Sequence, residues 1–308
     1  MLEQIVGNTI LKENLQIALK ANRLGHSVLL CGEDGLGRGF AARALAAEYL
    51  YPNGGSGAAQ VMAGTSPECV TITGEGASGQ IRVEAIRKMR LDIFETALSA
   101  QGRVVIIKDA QNLNQNSANA LLKILEEPPE SVLFILTANS PAALLLTIRS
   151  RCNCYSLMPP TVSQCIAWLQ SYAKNQRDIS LLATVYNGRI GSCKAVCDSS
   201  SRRQLLEKAL KAVEAVNMAD TYTLLCMFAQ LEKDKQQVLL LLQDMIDICA
   251  AGLLGQTAVG LCQITSAAAA KIIPLLNDAA LQINANANLK LVLSVLAGAL
   301  CNSVILSA

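Results

Sequence analysis

The sequence predicts an α/β domain, a parallel sheet with flanking helices, followed by a small helical domain and then an all-α domain. Three observations predict it. Short apolar runs alternate with helical stretches up to Pro160. That alternation stops at Met158-Pro159-Pro160. From Gln236 to Ala308 the only charged residues are Asp244, Asp247, Lys271, Asp278 and Lys290. Strands that are apolar along their whole length need cover on both faces, which crossover helices give to a parallel sheet. Helices with so little charge are buried on nearly all sides.

The elements follow in order. Apolar positions at Ile5, Leu11, Leu15, Ala18 and Leu19 predict a helix over Gln4 to Arg23. Ser27 to Cys31 reads as a strand, followed by a glycine-rich turn and a helix over Ala41 to Tyr51. Pro52 to Ser66, rich in Gly, Ala and Ser, reads as a loose loop. Cys69 to Thr73 is a strand. Ile81 to Leu98 is a helix carrying Ile81, Ile86, Met89 and Ile93 on one side. Val104 to Ile107 is a buried strand, Ser117 to Leu125 a helix, Val132 to Thr137 a strand and Cys154 to Leu157 the last strand.

Domain boundaries are expected at 1–160, 161–200 and 201–308, with a Gly-containing turn from Asn187 to Gly191 and a hinge at serines 199 to 201. A domain of about 100 residues cannot bury so apolar a surface within itself. The last domain is therefore expected to form an oligomer interface. Leu289 to Leu306 contains Lys290, Ser294 and Asn302, and its uninterrupted apolar run is short for a membrane span. It reads as a buried helix.

Net charge is +2, which gives no bulk basic signal for nucleic acid. The 11 cysteines are odd in number and have no repeating spacing. With no signal-peptide pattern at the start, they read as reduced thiols in a cytoplasmic protein. Cys152-x-Cys154 and Cys193-x₃-Cys197 are the closest pairs, and neither belongs to a four-ligand zinc pattern. No zinc is expected. His26 is the one histidine, and no Ser/His/Asp set is visible.

The chemistry sits in three motifs. Gly32-Glu33-Asp34-Gly35-Leu36-Gly37-Arg38-Gly39 lies on the phosphate-loop template G-x-x-x-x-G-K-[ST], between a strand and a helix. Arg38 stands at the lysine position, as a planar fork. Gly39 stands where a hydroxyl would hold Mg²⁺. The strand Val104 to Ile107 runs into Lys108-Asp109, where an acidic pair should follow. A cation at Lys108 repels the metal it should chelate. Both protein groups that should hold Mg²⁺ are thus replaced, and phosphoryl transfer depends on that ion. Gly32, Gly35, Gly37, Arg38 and Gly39, with Lys108 and Asp109, form a degenerate nucleotide site. Hydrolysis there is not expected, while residual nucleotide binding stays open. The third motif is Asn119 to Cys152: a helix ending in Glu126-Glu127-Pro128-Pro129, a buried strand, then Ser150-Arg151-Cys152.

On these residues the chain resembles the AAA+ clamp-loader subunits of bacterial DNA polymerase III. The string Ser117-Ala118-Asn119-Ala120-Leu121-Leu122-Lys123-Ile124-Leu125-Glu126-Glu127-Pro128-Pro129 and the Ser-Arg-Cys carry most of the resemblance. Val6-Gly7 and His26 add to it. Within the family the chain is most similar to the delta-prime class. The resemblance implies an AAA+ domain, a helical lid and a helical collar that joins subunits into a ring. It implies gamma/tau and delta subunits as partners, with the sliding clamp and primer-template DNA engaged through the assembled complex. It also implies that Arg151 acts in trans, as an arginine finger on ATP held by the adjacent subunit, and that the chain is a rigid, non-hydrolysing stator. Arg149 is the alternative finger. The resemblance puts the sensor positions near Ala138 or Asn139 and at Gly191, with Arg189 displaced. An enzyme remains the competing class: an AAA+ ATPase with an atypical site, either gamma/tau-like or a branch-migration-type motor.

Overall fold

The computed structural model describes residues 1–76, 79–93, 102–173, 178–231 and 234–305. They fall into two compact units, Met1–Pro160 and Thr161–Ala308.

In the first unit five strands form one parallel sheet among the described residues: β1 (Ser27–Cys31), β2 (Cys69–Ile72), β3 (Arg103–Ile107), β4 (Val132–Ala138) and β5 (Asn153–Ser156). Their order is β2-β3-β4-β1-β5, and every pairing is parallel. Successive side chains on a strand point to opposite faces. Val28, Leu30, Val104, Ile106, Leu133 and Ile135 enter one core, and Leu29, Val105, Ile107, Phe134 and Leu136 the other. That is why these strands are apolar throughout.

Among the described residues six helices flank the sheet: α1 (Thr9–Lys20), α2 (Arg38–Leu50), α3 (Ser56–Ala63), α4 (Val83–Asp92), α5 (Gln115–Glu126) and the single turn α6 (Leu146–Arg149). Against the first core, α2 lays Ala41, Ala42, Ala44, Ala46 and Ala47, small enough for the helix to lie close on the sheet. Asn114 caps α5 by accepting the Ser117 N–H at 2.8 Å, and the buried Ser117 hydroxyl donates to the Ile81 carbonyl at 2.6 Å. Pro128 and Pro129 end α5, because neither residue can continue it.

Four expectations change. The first helix begins at Thr9, not Gln4, because Gly7 and Asn8 are both left-handed and separate it from a short 3₁₀ turn over Leu2–Gln4. The helix after the phosphate loop starts at Arg38, three residues before Ala41. The expected loop from Pro52 to Ser66 contains α3, whose Ala58 and Val61 are fully buried beside α2. The expected helix to Leu98 is α4 as far as Asp92; Phe94 to Leu98 lie outside the described residues.

The second unit contains α7 (Val162–Tyr172), α8 (Ile179–Val185), α9 (Ile190–Asp198), α10 (Ser200–Asn217), α11 (Thr221–Ala229), α12 (Lys235–Leu253), α13 (Ser266–Asn284) and α14 (Leu289–Ile305). One buried core runs through them, from Cys165 to Cys301. Thr161 opens α7 with a capping box shared with Gln164. Ser199 caps α10 by accepting the Arg202 N–H, while the core continues across it from Val196 to Leu205. By length and composition alone, α12 could cross a membrane. Here its Val238, Leu241, Leu242, Met245 and Ile248 lie within the helical core.

The second unit also buries a polar network. Asp244 on α12 has no exposed surface and accepts from both terminal nitrogens of Arg202 on α10 and from the Tyr186 hydroxyl at 2.9 Å. Asp247, one turn on, pairs with Arg189 at 2.6 Å. Burial first, then the Asp244 charge, pushes the Tyr186 hydroxyl far above its usual range. It therefore stays protonated and a donor.

Candidate functional site

The phosphate loop lies where sequence reasoning puts it, between the end of β1 and the start of α2. Gly35 and Gly37 both have φ of 85°, a left-handed conformation that glycine reaches without strain. Gly37 turns the chain into α2, so the first N–H groups of the helix face the loop.

Arg38 occupies the inside of this turn. Its side chain is 8% exposed. One terminal nitrogen donates to the Gly32 carbonyl, and the other donates to Asp34 at 2.6 Å and Asp109 at 2.7 Å. A lysine could not reach three acceptors from one planar fork. The loop is therefore closed on its own arginine, with two carboxylates beside the position that phosphate would occupy.

Lys108 completes the arrangement. A Cβ added at Gly39 would lie 3.1 Å from the Lys108 Cε and 3.7 Å from its Nζ. The space beside Gly39 thus holds an ammonium group where the motif calls for a hydroxyl and a divalent cation. These residues do not fit an Mg²⁺–nucleotide complex. Asp109 is left-handed at φ 52°, and its N–H donates to the Thr137 hydroxyl at 2.9 Å. Thr137 lies at the end of β4, the strand between β1 and β3, and so bridges the two motifs. Sequence reasoning missed it, because a threonine inside a buried strand carries no signal of its own. Gly32 donates to the Ala138 carbonyl at 3.2 Å, while Asn139 is exposed.

Gly32, Gly35, Gly37, Arg38, Gly39, Lys108 and Asp109 thus come together. Arg151 belongs to a different cluster. It follows α6 in an exposed turn, donating to the Thr147 carbonyl at 3.0 Å and to Glu126 at 2.6 Å. Arg149 is half-buried within α6. Ser150 donates its hydroxyl to the Thr147 carbonyl. Burial first, then Cys154 and Cys31, pushes the Cys152 thiol up to about 12, so it stays protonated at neutral pH. Arg189, near the expected sensor position, is held by Asp247 in the helical core.

A further feature lies between α4 and α5. A groove of about 450 Å³ is lined by Arg87, Arg90 and Lys123, with Asn116 and Asn119, and among the described residues no carboxylate lines it.

A family model described as DNA polymerase III, delta subunit, matches residues 7–161, which takes in both motifs and Arg151. DNA polymerase III subunit delta' of Escherichia coli K12 is 32% identical over 224 residues. The chain belongs to the DNA polymerase III delta-prime family. The E. coli match covers 69% of this chain and 66% of that protein. The delta' subunit of Pseudomonas aeruginosa is 34% identical over 152 residues, 47% of this chain and 46% of that protein. The chain thus spans just under two thirds, or less, of these relatives. Among solved structures, a gamma subunit-related protein of Thermotoga maritima superposes with a TM-score of 0.56 at 21% identity, covering 94% of this chain and 98% of that one. At that identity the likeness concerns the fold alone.

Proposed function

We propose that this chain is a clamp-loader subunit that hydrolyses no ATP itself and completes the ATP site of a neighbour with Arg151. The observation that carries the first half is Arg38 bonded to Gly32, Asp34 and Asp109 inside its own phosphate loop, with Lys108 over Gly39. Arg38 is buried and bonded to two carboxylates and a carbonyl, so a phosphate entering the loop would have to displace all three. The second half rests on Arg151, a guanidinium on an exposed turn and well suited to stabilise charge on a transferring phosphoryl group.

In this reading the partners are gamma/tau and delta subunits, with the sliding clamp and primer-template DNA engaged by the assembled ring in the cytoplasm. Residues 161–200 act as the lid and 201–308 as the collar. Leu291 and Val295, exposed one turn apart on α14, supply apolar surface for ring contacts. The cationic groove between α4 and α5 carries backbone phosphates of the loaded DNA. The Arg189–Asp247 pair and the Tyr186–Asp244 hydrogen bond join the lid segment to α12 and favour a rigid stator.

The test is reconstitution with gamma/tau and delta subunits, comparing wild type with Arg151→Ala in clamp- and DNA-stimulated ATPase. The proposal expects an intact complex with activity reduced by about 10³-fold or more at the completed site. Wild-type activity in the variant would overturn the trans role. ATP turnover by the isolated chain, abolished by Arg38→Ala, would instead favour an atypical ATPase.

A further inference from the structure

We infer that Glu126 is the positioning residue of Arg151: its carboxylate orients the guanidinium that the neighbour's ATP site receives. The inference rests on the trans role proposed above and adds a second residue to it.

Two observations carry it. The first is geometry. Arg151 is held by its two terminal nitrogens, one on the Thr147 carbonyl at 3.0 Å and the other on Glu126 Oε1 at 2.6 Å. Two anchors fix the plane of the fork, while the side chain stays 35% exposed. Glu126 reaches it across 25 residues of chain, because α5 and α6 pack together. The second is local cost. Glu126 is the last residue of α5, where the negative end of the helix dipole disfavours a carboxylate. Pro128 and Pro129 forbid any further turn that would move it away from that end. A carboxylate placed against the dipole and facing an arginine is there for the arginine. Its neighbour Glu127 sits at the C-cap of the same helix and exposes its side chain.

A guanidinium held in place loses less freedom when it engages phosphate, and part of that entropic cost is met before the reaction begins. Weakening the hold should therefore lower kcat at the neighbour's site and leave ATP binding there nearly untouched.

The experiment uses the reconstituted complex with Glu126→Gln, Glu126→Asp, Arg151→Ala and the double variant Glu126→Gln/Arg151→Ala. Complex assembly and thermal unfolding are measured alongside stimulated ATPase. With assembly intact, Glu126→Gln is expected to lower kcat about 5-fold, with KM for ATP changed by less than about 2-fold. Glu126→Asp keeps the charge and should recover more than half of the rate. In the Arg151→Ala background Glu126→Gln should add nothing, because the carboxylate acts only through the arginine. A wild-type kcat in Glu126→Gln, or an equal loss in the Arg151→Ala background, overturns the positioning role and leaves Arg151 as the finger. Wild-type activity in Arg151→Ala overturns both.

Discussion

Asp244 bears most of the polar network in the helical unit, and its removal has a calculable cost. The carboxylate has no solvent exposure and accepts three hydrogen bonds, two from Arg202 and one from Tyr186. Asp244→Ala leaves a guanidinium with 16% of its side chain exposed and a buried hydroxyl without their acceptor. Breaking a buried ion pair from one side costs about 3–5 kcal/mol. Water can reach part of Arg202, which favours the lower end, and the orphaned hydroxyl adds about 1 kcal/mol. The expected loss is about 4 kcal/mol. Trp168, the single tryptophan, packs against the same core and stacks on Tyr172 with ring centroids 4.8 Å apart. Its fluorescence in urea therefore reports this unit. With an m-value of about 2 kcal/mol/M, the midpoint should fall by about 2 M at unchanged slope. Asp244→Asn keeps an acceptor and should lose about half as much. Asp244→Leu with Arg202→Met, which removes both charges, should be milder than Asp244→Ala. A loss below about 1 kcal/mol in Asp244→Ala would refute the reasoning, since an unpaired cation would then have found solvent at little cost.

Other predictions follow from single contacts. Gly102 has φ of 93°, and a Cβ there would lie 1.9 Å from the Ser131 carbonyl oxygen, so Gly102→Ala should cost about 2–4 kcal/mol by chemical denaturation, and a loss under about 0.5 kcal/mol would count against this backbone geometry. Asp220 caps α11 through the Thr223 hydroxyl and N–H, which hold its carboxyl below its ordinary 3.8. A depressed folded value means that this stabilisation is present above 3.8 and is lost as pH falls through the lower folded value. Asp220→Asn keeps a cap and should flatten that part of the acid limb in a series of thermal melts; an unchanged limb would remove Asp220 as its cause. Burial pushes the Cys69 thiol up to about 11 and the Cys249 thiol up to about 12, while Cys154 and Cys226 are exposed. Brief alkylation at pH 7.5 followed by mass spectrometry should label Cys154 and Cys226 first, and early labelling of Cys249 would contradict the packing of α12.

Local signals made most of the α/β unit legible. β1, β3 and β4 lie within a residue of where apolar runs put them, because a doubly covered parallel strand has a pattern few other elements share. The helix α3 was not legible, since Gly, Ala and Ser suit a loop until Ala58 and Val61 meet α2. The break at Gly7-Asn8 was hidden for a related reason: helical periodicity of apolar residues continues across it, and only the left-handed backbone interrupts it.

The sequence by itself determined the strands of the sheet, the residue types that stand at positions 39 and 108, and the family. Those are properties of residue type at fixed spacing, which a linear chain displays directly. Tertiary structure alone decided that Arg38 pairs with Asp109, 71 residues away, that Thr137 accepts the Asp109 N–H, and that Glu126 pairs with Arg151. It also decided that the charges of Asp244 and Asp247, isolated within an apolar stretch, are neutralised from other helices. The physical reason is common to all four. A charge or polar group in a low-dielectric interior must find its partner in space, and nothing in chain separation announces which partner that will be.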